Sequence, residues 1–281
     1  MERDVASVAR VVRGIHVTDG AGVHLNRIIA QPQLDHVDPF VLLDEFRSDN
    51  PDEFMAGFPW HPHRGIETIT YVVYGAVEHE DSKGGGGVIN DGDVQWMTAG
   101  KGILHQEMPV KRDGKVWGYQ LWLNLAAKDK MAPARYQALD DDMIPVSDGA
   151  GPTVKVIAGA YAGTVGPADT YYPIDYFDVR LGEGTRFMHQ VASEQDKAIY
   201  VHSGSVVIDP DGDAKEMMAG NLVILGEGND VVIAGKEDDS GFLFLAGVPH
   251  REPIARGGPF VMNTRDEIHQ AFADYQSGKL F

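Results

Sequence analysis

Apolar residues along this chain gather in short runs separated by glycine, proline and acidic residues. The runs predict strands at 8–12, 40–46, 68–73, 94–97, 119–123, 154–157, 176–179, 199–202, 206–208, 222–225, 231–233 and 242–245. So many short strands between turn residues predict an all-β barrel or sandwich protein. Between 126 and 152 the chain turns polar and proline-bearing, with Asp140, Asp141 and Asp142 inside that stretch. This predicts a boundary between a domain over 1–135 and a second over 136–281. One helix is expected, at about 264–276. Thr264 and Glu267 have capping-box spacing, and Ile268, Ala271, Phe272 and Tyr275 follow at 0, +3, +4 and +7. Its apolar stripe is expected to dock on a barrel.

The two halves carry a weak internal repeat. Tyr74-Gly75-Ala76-Val77 is similar to His202-Ser203-Gly204-Ser205-Val206, and Asp91-Gly92-Asp93-Val94 to Ala219-Gly220-Asn221-Leu222. Repetition at this scale predicts two copies of one fold.

Composition narrows the function classes. With 281 residues, 43% hydrophobic and 23% charged, the chain has the make-up of a water-soluble globular protein. No apolar run approaches the ~20 residues that cross a bilayer, and the opening Met1-Glu2-Arg3-Asp4-Val5 has neither a basic start nor an apolar signal core. Cytoplasmic residence is therefore expected. The formal charge of −18, with no lysine or arginine cluster, argues against direct nucleic-acid binding.

The chemistry concentrates in two segments, His61-Pro62-His63 and Gly100-Lys101-Gly102-Ile103-Leu104-His105-Gln106-Glu107. In an extended chain, residues i and i+2 project from one face roughly 6.5 Å apart, so His61 pairs with His63 and His105 with Glu107. If the two segments meet across a barrel, three imidazoles and one carboxylate converge. That set suits Fe(II), Mn, Co, Ni, Cu or Zn rather than Mg or Ca. Thiolate sites are excluded, because the chain has no cysteine. Aligning Gly92 with Gly220 sets His105 opposite Ile233 and Glu107 opposite Gly235, so the second copy lacks half the donors. It is expected to be metal-free and to pack and brace. His79 is expected in a polar loop leading to Gly84, and Gly84-Gly85-Gly86-Gly87 in a mobile hairpin turn that could gate a barrel mouth.

Residues 58–68 and 92–105, with Asp38-Pro39-Phe40 and Gly258-Pro259-Phe260-Val261-Met262-Asn263-Thr264, closely resemble the pirin family of the cupin superfamily. The resemblance spans nearly the whole chain and implies a bicupin: two double-stranded β-helix (jelly-roll) barrels, the first binding metal and the second ending in the helix. In that family the residues matching His61, His63, His105 and Glu107 bind a single iron. The general cupin pattern takes its carboxylate where Glu67 stands here, and the resemblance leaves Glu67 to support the donors from behind.

Four protein ligands leave one or two positions open for water, oxygen or a chelating substrate. Some pirins are similar to flavonol 2,4-dioxygenases (quercetinases), which implies an oxidoreductase that opens a flavonol ring with O2 and releases CO. In this reading Glu107 is both ligand and general base, and Phe40, Phe58 and Met97 are the candidate apolar wall for a flat aromatic substrate. Two other readings accompany it. One is an iron-dependent, redox-sensing regulator that binds a still unidentified protein partner without turnover. The other is a dioxygenase of another catechol-like or enolizable metabolite. A cavity for a planar ligand beside the metal favours catalysis, and a sealed metal favours regulation.

Overall fold

The computed structural model describes residues 4–147 and 151–280, so residues 148–150 of the expected boundary lie outside the described residues. Strand is the dominant element, and the chain divides into two units.

The unit of Ile15–Asp141 and His250–Phe281 contains a seven-stranded sheet. Its order is Arg135–Leu139, Val94–Thr98, Ile66–Tyr74, Val116–Asn124, Phe40–Ser48, Val23–Ile29 and Ile15–Asp19. A four-stranded sheet runs Phe58–His63, Ile103–Pro109, Val77–Asp81 and Gly86–Ile89. Side chains from both sheets share one core, in which Val77 and Ile89 of the smaller sheet pack with Val23, Leu25, Phe46 and Val116 of the larger.

The second unit repeats this order strand for strand. Its large sheet runs Val8–Arg13, Asn221–Leu225, Asp196–Ser203, Ser240–Gly247, Ile174–Leu181, Thr153–Ala158 and Val146–Ser147, and its small sheet Arg186–Gln190, Asp230–Gly235, Ser205–Ile208 and Lys215–Met218. The turn glycines repeat too. Gly92 and Gly220 both sit in the left-handed region, at φ 85° and 87°, where a residue without Cβ pays no steric penalty. The two copies of one fold expected from the repeat are thus two cupin barrels. Their interiors differ: the second is filled by Phe177, Phe187, Phe242 and Phe244, all fully buried.

The serial division at 135/136 needs correction, because the chain ends are exchanged. Val8–Arg13 is an edge strand of the second barrel, with Val11 opposite Val223 and Val12 opposite Leu222. The C-terminal hairpin, Ala255–Gly257 with Phe260–Met262, and the helix Arg265–Gln276 belong with the first barrel. The helix begins as predicted: Glu267 donates its N–H to Thr264 Oγ1 (3.2 Å), and Thr264 donates its N–H to Glu267 Oε2 (2.8 Å). Its buried face is narrower than the sequence suggested. Ile268 and Ala271 are buried with Phe260 and Met262, whereas Phe272 and Tyr275 are 37% and 39% exposed. Among the described residues no helix is long and apolar enough to cross a membrane.

Candidate metal centre and its cavity

The Ile103–Pro109 strand lies between its two neighbours in the small sheet, and pairing sets the chemistry. On one side His105 is opposite His61 and Ile103 opposite His63; on the other, His105 is opposite Asp81 and Glu107 opposite His79. A bulge between His105 and Glu107 shifts the register against the first neighbour, which re-aims side chains locally.

Two overlapping donor groups result. The donor atoms of His61, His63 and His105 lie within 4.8 Å of one another, and those of His79, His105 and Glu107 form a second such group. The structure therefore brings the three expected histidines together and joins Glu107 to them through His105. His61 Nδ1 is 2.9 Å from the Pro59 carbonyl and His63 Nδ1 3.1 Å from that of Pro259. Each ring thus has a backbone acceptor for an Nδ1–H, leaving Nε2 as a lone-pair donor, the arrangement in which proteins hold metal-binding imidazoles. Burial, with neighbouring imidazoles adding to it, holds His63 and His105 well below the usual histidine range, so both are neutral at pH 7. His105 Nε2 is buried without a hydrogen-bond partner, a costly arrangement unless something occupies its lone pair. Neutral, convergent nitrogens beside a buried carboxylate fit a transition metal.

Glu107 is clamped. Thr70 Oγ1 donates to its Oε1 (2.5 Å), and Gln120 Nε2 lies 3.0 Å from Oε2 and 3.2 Å from Oε1. Glu67 is buried elsewhere: it accepts from Thr98 Oγ1 (2.7 Å), with Arg135 3.7 Å away, and it belongs to neither donor group.

His61, His63, Glu107 and Gln120 open onto a cavity of about 720 Å³ within this barrel. Its apolar wall includes Phe46, Phe54, Phe58 and Trp122, the last packed edge-on against His63 at 4.9 Å. Arg27 and Asp44 add a polar strip as a two-toothed ion pair, Nε–Oδ1 2.9 Å and Nη2–Oδ2 2.7 Å. Of the three apolar wall residues expected from sequence, only Phe58 lines the cavity. Phe40 is turned away because the strand pairing slips between Leu42 and Phe40, putting Phe40 on the face opposite Leu42. Met97 sits behind the wall, in a core cluster against which Trp122 packs.

Two other expectations change. His79 is not in a loop; it is on the Val77–Asp81 strand, whose residues 77, 79 and 81 point inward while Glu78 and Glu80 face water. The glycine run does not line the cavity. Gly85 instead packs where a Cβ would stand 2.3 Å from Asp81 Oδ2 and 2.9 Å from Tyr136 Cγ.

The supports around His63 escaped sequence reasoning. Lys130 is buried, and its Nζ donates to Gly65 O (3.0 Å), Asn124 Oδ1 (2.8 Å) and Val261 O (2.8 Å). Arg64 donates to Lys101 O (2.5 Å) and pairs with Asp274 of the helix at 2.8 Å.

Comparison with known proteins agrees with this geometry. The Pirin family model matches residues 22–123, and that of the Pirin C-terminal cupin domain matches residues 176–281. A pirin-like protein of Caulobacter vibrioides is 44% identical over 280 residues, covering 98% of this chain and 99% of that protein. Pirin of Homo sapiens is 41% identical over 264 residues, or 93% of this chain and 89% of its own. A crystal structure of quercetin 2,3-dioxygenase from Acinetobacter baumannii is similar with a TM-score of 0.88 at 35% identity, over 98% of each chain.

Proposed function

Because the chain belongs to the pirin family, we propose that it is a mononuclear non-haem metal protein of the quercetinase type, opening a flavonol ring with O2 and releasing CO. The observation that carries this reading is the cavity of about 720 Å³ onto which His61, His63 and Glu107 open. It has room for a three-ring planar ligand beside the donors, where a purely redox-sensing centre needs no such space. The likeness to a quercetin 2,3-dioxygenase supports the same substrate class.

In this proposal His61, His63, His105 and Glu107 would hold one divalent metal. Iron(II) is the first choice, and nickel, manganese, cobalt, copper or zinc suit the same donors. When bound, the metal supplies Lewis acidity toward the substrate oxygens and the redox chemistry that dioxygen needs to react with a closed-shell organic molecule. The chain's own residues do the rest. Phe58 and Trp122 flank the flat rings and, with Phe46 and Phe54, keep bulk water from the reacting carbon. Glu107 takes the proton of the 3-hydroxyl group, making the ring electron-rich. Thr70 and Gln120 keep the carboxylate pointed at that oxygen. The two bonds flanking the 3-carbon break, that carbon leaves as CO with its own oxygen, and both atoms of O2 enter the ester product. The balance needs no further reductant.

The test is oxygen uptake and CO release by anaerobically purified, iron-loaded protein across a panel of flavonols and catechols. Glu107→Gln should abolish turnover while keeping much of the metal, and His105→Ala should empty the site. No uptake by a fully loaded sample would sink the catalytic reading in favour of regulation, and uptake with catechols alone would move it to a different substrate.

A further inference from the structure

The first barrel contains a second set of buried polar groups that the four donors leave unexplained. His79 and Asp81 point inward behind His105, almost fully shielded from solvent. His79 Nδ1 lies 3.4 Å from His105 Nδ1, and His79 Nε2 lies 3.5 Å from Asp81 Oδ2. Those last two atoms, like His105 Nε2, have no hydrogen-bond partner. The row runs from a carboxylate through two imidazoles and ends on His105, whose ring lies 4.3 Å from that of His61 and 4.9 Å from that of His63.

We propose that Asp81 and His79 are positioning residues that fix the tautomer of His105, so that its Nε2 presents a lone pair to a metal. The argument is one of proton counting. Two Nδ1 atoms facing each other can share only one proton. If His79 carries it, His105 accepts at Nδ1 and must bear its own proton on Nε2, where it blocks coordination. If His105 carries it, Nε2 is free. Asp81 decides between these: its Oδ1 is taken by two backbone N–H donors and its Oδ2 is turned to His79 Nε2, so Oδ2 is the acceptor that places the His79 proton on Nε2. His79 Nδ1 then accepts from His105. Carboxylates commonly orient metal-bound histidines directly; here an imidazole is interposed.

The surroundings hold this row rigid. Asp81 Oδ1 accepts from the N–H groups of Lys83 (2.7 Å) and Gly85 (3.0 Å), which directs Oδ2 toward His79. Tyr136 stacks on the His79 ring at 5.1 Å and 23°. The glycine run acquires a role as well: with a Cβ only 2.3 Å from Asp81 Oδ2, any other residue at position 85 would push the carboxylate out of line.

The inference rests on His105 being a metal donor, and the experiment separates the two. Long-range ¹H–¹⁵N spectra of the ¹⁵N-histidine-labelled, metal-free full chain at pH 8 should show His105 protonated at Nδ1. An Nε2-protonated ring in the unmutated protein would overturn the proposal without any variant. Asp81→Asn is the matching perturbation. The Lys83 and Gly85 N–H groups hold the amide oxygen, so the NH2 faces His79 and reverses both tautomers. His105 should then be protonated on Nε2, and zinc(II) affinity, measured against a chromophoric chelator, should fall about 10- to 100-fold with the tryptophan-monitored unfolding midpoint unchanged. Retention of the Nδ1–H form, or affinity within twofold of the parent, would overturn the inference. His105→Ala serves as the control. If it binds zinc as tightly as the parent, the metal reading itself fails; if it loses zinc and Asp81→Asn does not, only the tautomer role fails.

Discussion

Lys130→Met asks whether a buried cation holds the His63 side of the metal barrel together. In the parent, Nζ donates to Gly65 O, Asn124 Oδ1 and Val261 O at 3.0, 2.8 and 2.8 Å. Hydrogen bonds from a charged donor contribute about 1.5–3 kcal/mol each, or about 5–9 kcal/mol for three. Burial opposes them, pulling the lysine from 10.5 down to about 8, which corresponds to about 3 kcal/mol against the charged form. Methionine fills much of the stem volume, so the loss is mainly polar. Asn124 Oδ1 is left without this donor, while Gly65 O keeps the Leu125 N–H at 3.3 Å. The net destabilisation should be about 2–6 kcal/mol.

The assay is urea unfolding of metal-free protein followed by tryptophan fluorescence. Trp60, Trp96, Trp117 and Trp122 are the four tryptophans of the chain, and all lie in the metal barrel, so the signal reports that unit by itself. With slopes of about 1–3 kcal/mol per molar urea, the midpoint should fall by about 1–2 M. A shift below about 0.3 M would refute the view that this cation organises the loop between His63 and the C-terminal hairpin. Zinc binding should weaken in parallel, because Gly65 and Val261 are each two residues from a partner in the His63–Pro259 contact.

Two further outcomes follow from the same geometry. Burial depresses His63 and His105 below the usual histidine value of 6.5, so below pH 6.5 the unfolded chain binds the extra protons. Metal-free protein should be most stable above that pH and lose up to about 3 kcal/mol per pH unit below it. A His63→Asn/His105→Gln variant unfolding with the same pH slope would contradict this. Phe58→Ala removes an aromatic wall from the cavity while leaving the donors in place, so KM for flavonols should rise about 10-fold with zinc content unchanged. An unaltered KM would place the substrate elsewhere.

The candidate donors were legible because a period of two is a property of the extended backbone itself. His61 with His63, and His105 with Glu107, needed only strand geometry, and the repeat disclosed two copies of one fold. The cavity wall was less legible. Alternation tells which residues share a face, but not which face is hollow, and the slipped pairing at Phe40 reverses parity without any local mark. Asp44 and Gln120 were the available signals, since each interrupts an apolar strand with a polar side chain that must be satisfied. Lys130 and the exchanged chain ends were invisible for another reason. Lys130 meets Val261 over 131 residues, and Val11 pairs with Val223 across most of the chain, separations that local pattern does not sense.

The difference between the two barrels shows why those long-range contacts are needed. Both use the same strand order, yet the second closes its interior with four fully buried phenylalanines, each worth about 3–5 kcal/mol on truncation. The first keeps its interior open and gives up much of that packing. Polar sets that close on themselves add to its apolar clusters: Lys130 with its three acceptors, Arg64 with Lys101 and Asp274, and Arg27 with Asp44. Where such sets close, a leftover buried polar atom is informative. Three of them, Asp81 Oδ2, His79 Nε2 and His105 Nε2, lie along one row ending at the histidine cluster. If that row exists to present a lone pair, the open Nε2 of His105 is the cost of holding a metal site ready. Substitutions along it should then change metal affinity far more than they change the stability of the metal-free barrel.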